Sequence, residues 1–95
     1  MRTRNISVTM RELLRSPRGR VEVRRARYFK PGLLFRLHML VVLPDRRKAK
    51  VFMGVYEVVS SMPCGKSQKG SELSLAALRP ANEWSPYDVG EVMEE

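Results

Sequence analysis

The residues of this chain best equipped for chemistry are its arginines. Arg24, Arg25 and Arg27 fall in one short stretch, Arg36 follows a Pro-Gly turn, and Arg46, Arg47 and Lys48 crowd a second turn. A guanidinium offers a planar fork of N–H donors that matches phosphate and stacks on bases. Interleaved with Phe29, His38 and Tyr56, these groups supply the parts of a platform for RNA or single-stranded DNA, with phosphates on the cations and bases on the rings. Arginine outnumbers lysine thirteen to five, and the charge is concentrated at one end. Residues 1–50 hold fifteen Lys and Arg against three Asp and Glu, a balance of +12. Residues 51–95 hold three against seven, a balance of −4. Such asymmetry points to a polyanionic or acidic partner. Two plainer explanations compete with it: arginine-rich codon usage, and a charged face that does no more than keep a sheet solvated.

Enzymatic chemistry has little to work with. His38 is the single histidine, and no carboxylate or nucleophile is projected beside it, so no catalytic residue is assigned. One Cys and one His cannot supply a structural zinc site, and no cofactor is expected. Cys64 reads as a free loop thiol, and the stretch Ser60–Ser67 closes on Gly-Lys-Ser like a phosphate-binding loop. That motif needs Gly where Ser60 stands, and Gln68-Lys69-Gly70-Ser71 does not read as the helix that must follow.

The elements that must position these groups follow from pattern and turn chemistry. At 95 residues and 11.0 kDa the chain is expected to form one domain, 1–95, basic in 1–50 and acidic-tailed in 51–95. Thr9 and Glu12 form a capping box ahead of a helix from Met10 to about Arg15, with Met10, Leu13 and Leu14 expected to face the core. Arg20 to Lys30 reads as a strand, and Lys30-Pro31-Gly32-Leu33 as a type II turn. Leu33 to Leu43 alternates without a break, and Lys50 to Val59 is apolar on both faces. Residues 62–71 read as loop, Glu72 to Arg79 leans to a strand, and Ser85-Pro86-Tyr87-Asp88 opens a short C-terminal helix. The expected fold is therefore α+β: a small antiparallel sheet of three to four strands, a meander that could close toward a barrel, with one short helix at each end.

If Lys30 opposes Leu33 across the Pro-Gly turn, Arg27 faces Arg36 and Arg25 faces His38, next to Phe29. The following hairpin would bring Tyr56 beside Arg36, while Arg46, Arg47 and Lys48 occupy its tip. The expected function is that of a small, basic, non-enzymatic protein binding RNA or single-stranded DNA through that face. The alternative is a protein-binding accessory or inhibitory protein, for example a phage-borne antagonist of a host nucleic-acid enzyme. Its acidic end (Asp88, Glu91, Glu94 and Glu95) or its arginines would then meet a charged partner. The two-sided apolar strand makes a homodimer a further expectation. The longest apolar run, Met39 to Leu43, is too short to span a bilayer, and a lone thiol suits a reducing compartment, so a cytoplasmic, membrane-free protein is expected.

Overall fold

The computed structural model of the chain describes residues 4–81 and 92–94. Its elements run β1 (Arg4–Thr9), α1 (Met10–Arg15), β2 (Val21–Arg25), β3 (Leu34–Val42), β4 (Lys48–Lys66), β5 (Glu72–Pro80) and β6 (Val92–Glu94). All six strands form one sheet in the order β1-β3-β4-β5-β2, with β6 added to the first part of β4. The β1–β3 pair is parallel and the other pairs are antiparallel.

This corrects the expected fold. The sheet is mixed and larger than an antiparallel meander of three or four strands, and α1 is the one helix among the described residues. The expected helix opening at Ser85 lies outside the described residues, and the segment that follows it, Val92–Glu94, is a strand. The first hairpin is also absent. Strand β2 pairs with β5, placing Arg24 opposite Leu75 and Arg25 opposite Ser74. The local alternative would have set Arg27 against Arg36 and Arg25 against His38, and like charges directly opposite one another are destabilising. The distant pairing removes that repulsion and brings Val21 and Val23 beside Leu78 and Ala76.

Much of the local reading does hold. The Pro31-Gly32 turn forms, with the Leu33 N–H donating to the Lys30 carbonyl at 3.3 Å and Gly32 at φ 94°. Its flanks are bonded to β4, because Gly32 N–H donates to Val58 and Val58 N–H to Leu33, each at 2.9 Å. Residues 26–33 are thus a crossover from β2 to β3 that passes over β4. The Leu34–Val42 strand, its hairpin to β4 and the 72–80 strand are all present.

Strand β4 does the work of two strands. Lys48 to Glu57 pairs with β3, and Tyr56 to Lys66 pairs with β5. Irregularities at Leu37/His38, Val58/Ser60 and Pro63/Gly65 bend it, as bulges do. Residues 62–66, expected as loop, are the last part of this strand, and Pro63 is tolerated because it sits at an irregular step of the ladder. The turn proper is confined to Ser67–Ser71, closed by a Ser67 N–H bond to the Ser71 carbonyl at 2.8 Å.

Both ends of the strand order contribute to one core. Ile6 and Val8 of β1 are buried with Val21 and Val23 of β2, alongside Phe29, Phe35, Leu37, Val58, Ala76 and Leu78. In a flat sheet, strands four places apart would be separated by about 19 Å. Sharing a cluster requires the sheet to roll until β1 and β2 face each other over the core. Helix α1 caps that seam but buries no residue fully: Leu13 packs on the core, while Met10 and Leu14 are exposed, against expectation. The two-sided apolar character of 50–59 is met within the chain, with Phe52 and Val58 both buried, so no second copy is required to cover them.

Candidate nucleic-acid interface

Arg25 is committed to the seam. Its Nη1 donates to Glu12 Oε2 at 2.6 Å and to the Arg24 carbonyl at 2.8 Å, and its Nη2 donates to the Ser7 carbonyl at 2.9 Å. Glu12 is itself held by the capping box, accepting from the Thr9 N–H while its own N–H donates to Thr9 Oγ1, both at 3.2 Å. Burial pushes the Glu12 carboxyl up. Hydrogen bonds from Arg25 and Thr9 and the Arg25 charge outweigh this and hold it below the usual glutamate value. The guanidinium thus ties β2 to β1 and α1, and its charge is neutralised.

The rings expected on the surface are largely interior. Phe29 is 7% exposed and meets Phe35 edge to face, with centroids 5.5 Å apart. Its N–H donates to Ser61 Oγ at 3.3 Å, which fixes the crossover on β4. Tyr56 is partly buried against the same core, opposite Phe35, and burial pushes its phenol up.

His38 lies on the other face of β3. It is 5% exposed and packs on Phe52, with centroids 5.4 Å apart. Burial holds its imidazole below the ordinary value; a hydrogen bond to the Arg36 backbone opposes this, and the charges of Lys50 and Arg36 reinforce it. The ladder sets Tyr56 opposite Phe35 and Val55 opposite Arg36, and after the irregular step beyond Leu37 it sets Phe52 opposite His38, so Tyr56 is not beside Arg36 as expected. Arg25 and Arg27 lie on the far side of β1 from Arg36 and His38, with Arg25 bonded to the Ser7 carbonyl, and neither is paired with those residues in the sheet.

The second basic cluster does stand at a hairpin tip. Leu43-Pro44-Asp45-Arg46 closes through an Arg46 N–H bond to the Leu43 carbonyl at 2.9 Å, and Arg46 adopts φ 67°. Arg47 forms an ion pair with Asp45, so the tip is less charged than its composition implies. Arg46 and Lys48 remain exposed.

One exposed group combines cations with a ring. In the crossover, Tyr28 is 67% exposed and sits between Arg27 and Lys30, which are exposed and have no acidic partner among the described residues. The same segment walls an open cleft of about 390 Å³ whose lining includes Asn5, Ser7, Arg25, Arg27, Phe29 and Phe35. Tyr28, Lys30 and Asn5 were not among the residues singled out from sequence. The available signal was an Arg-Tyr-Phe-Lys run leading into a turn, which an assignment of 20–30 as continuous strand obscured. Among the described residues no three His, Cys, Asp or Glu side chains gather as metal ligands, and no helix is long and apolar enough to cross a membrane. The chain matches no family model, no curated protein and no solved structure.

Proposed function

We propose that this protein binds single-stranded nucleic acid, RNA or single-stranded DNA, without catalysing a reaction, and that the 26–30 crossover with its cleft is the principal contact. The observation that carries this reading is the exposed Tyr28 ring with the exposed cations Arg27 and Lys30 close to it in the chain, neither with an acidic partner among the described residues. An aromatic face stacks on any base, at about 1–3 kcal/mol per base, while flanking cations follow the phosphates. Of the residues first assigned, Arg27, Arg46, Arg47 and Lys48 keep exposed side chains, Arg47 being paired with Asp45. Arg25 and Phe29 line the cleft while being tied into the fold, His38 is buried against Phe52, and Arg36 and Tyr56 are partly buried.

Fluorescence anisotropy with labelled single-stranded RNA, single-stranded DNA and duplex DNA tests this directly. Single strands should bind at near-physiological salt, and Tyr28→Ala should weaken them about tenfold as one stacked base is lost. Arg27→Ala with Lys30→Ala should reduce the salt slope by about 0.7 for each phosphate contact removed. Equal binding to all three probes that disappears with salt would reduce the interaction to bulk charge and overturn the assignment.

A further inference from the structure

At the end of the β1–β3 ladder the sheet has an unfinished step. Pairing stops at Thr9 opposite Leu40, where the chain turns into α1, but β3 runs on to Val42. The Leu43 N–H donates to the Arg47 carbonyl at 2.8 Å, which sets the alternation of the β3–β4 ladder. Leu43 and Val41 turn their backbone polar groups toward β4, and Leu40 and Val42 turn theirs toward the side that β1 occupies. Beyond Thr9 no described strand lies on that side. The Val42 N–H and C=O therefore face a groove of about 400 Å³, lined by Thr9, Leu40, Val41, Val42 and Lys48.

The groove is apolar, and its surroundings are basic. Val42 is 72% exposed and Met10, which follows Thr9, is 50% exposed. Lys48 stands on the wall, Arg11 follows Met10, and Arg46 occupies the adjoining turn; none has an acidic partner among the described residues. The acids nearest in sequence, Glu12 and Asp45, are paired with Arg25 and Arg47, and the strand register sets Glu94 of β6 opposite Ala49, the residue after Lys48.

We propose that this groove is a protein-docking site that takes an extended segment of a partner in which apolar and acidic side chains alternate, added as a short strand beside Leu40–Val42. Backbone pairing with Val42 would supply register, the valines and Leu40 would receive alternate side chains, and Lys48, Arg11 and Arg46 would meet the carboxylates. The groove has no aromatic ring for a base to stack on. A second copy would set basic rim against basic rim. The proposal is independent of the nucleic-acid reading, which uses the crossover between β2 and β3.

The test is titration of the isotopically labelled full chain, followed by backbone amide NMR shifts, with a short synthetic peptide alternating valine and glutamate. Parallel titrations use the same peptide with lysine for glutamate, a single-stranded oligonucleotide, and vesicles of anionic phospholipid. The acidic peptide should shift the amides of Thr9–Arg11 and Leu40–Leu43 and leave 26–30 unmoved. Lys48→Glu should weaken it roughly tenfold and reverse the preference between the two peptides, and Val42→Pro, lacking the N–H, should abolish it. Absence of shifts up to millimolar peptide would overturn the proposal. So would equal binding of both peptides, shifts at this groove from the oligonucleotide or vesicles instead, or concentration-dependent shifts without any ligand.

Discussion

Arg25 and Glu12 meet at 2.6 Å across the seam where the two edge strands of the rolled sheet face each other. The same guanidinium reaches the Ser7 carbonyl, so one side chain joins β2, α1 and β1. A sheet whose ends converge must satisfy edge groups that have no strand to pair with, and here a fork of N–H donors takes that part.

Replacing Arg25 should accordingly cost stability more than binding. Arg25→Ala is expected to lose about 2 kcal/mol, within the range for hydrogen bonds to charged groups at a partly buried site. Arg25→Lys should recover only part, because an ammonium cannot span Glu12 and Ser7 as a fork does. Urea unfolding measures both, and a loss below about 0.5 kcal/mol for Arg25→Ala would show the seam to be held by packing alone.

The Glu12 carboxyl gives that seam a pH dependence of known sign. Burial raises its pKa, but Arg25 and the Thr9 bonds bring it below the ordinary value, so the unfolded chain holds the proton more tightly. Its stabilisation is complete above the ordinary glutamate pKa and is lost as pH falls through the lower folded value. Wild type should therefore exceed Glu12→Gln in melting temperature at neutral pH, with the gap closing in acid. A gap that is constant across pH would mean that the carboxylate charge plays no part.

His38 acts in a separate window. Burial first, with the Lys50 and Arg36 charges added, keeps its folded pKa below the unfolded one despite the Arg36 backbone bond. The native state thus resists protonation. Stability should be full above the ordinary histidine value and decline as pH drops below it, levelling off under the folded pKa. NMR titration of the imidazole should give a midpoint below that of a free histidine, and His38→Gln should remove this decline. A midpoint at or above the free value would contradict the buried placement against Phe52.

Gly54 lies at φ 118°, opposite Leu37 at the irregular step of β4. A Cβ there would approach Tyr56 Cε1 at 3.8 Å, an ordinary contact, so space is available and the backbone conformation is the obstacle. Gly54→Ala should cost about 1–3 kcal/mol through strain, and Gly54→Val more. Thermal unfolding reads both. A neutral Gly54→Ala would mean that the bulge relaxes without loss.

Features set by neighbours in the chain were legible from sequence. The Thr9/Glu12 box, the helix Met10–Arg15, the Pro31-Gly32 turn and the alternation of Leu34–Val42 each depend on groups a few residues apart, and all are present. The β1 strand is equally local, with Ile6 and Val8 alternating against Asn5, Ser7 and Thr9, but so short an alternation directly ahead of a capping box does not stand out as a strand. Pairing was another matter. Residues 21–25 read as a strand in any context, yet nothing within them distinguishes an adjacent partner from one fifty residues away. The choice of β5 over β3 rests on burying Val21 and Val23 with Ile6, Val8, Ala76 and Leu78, a sum over the whole core. That choice also decided the fate of each arginine. Composition determined that the chain carries a dense positive charge. Only the rolled sheet determined that Arg25 is bound at its seam while Arg27, Tyr28 and Lys30 stay exposed, because side-chain exposure depends on which strands meet and not on the order in which residues are joined.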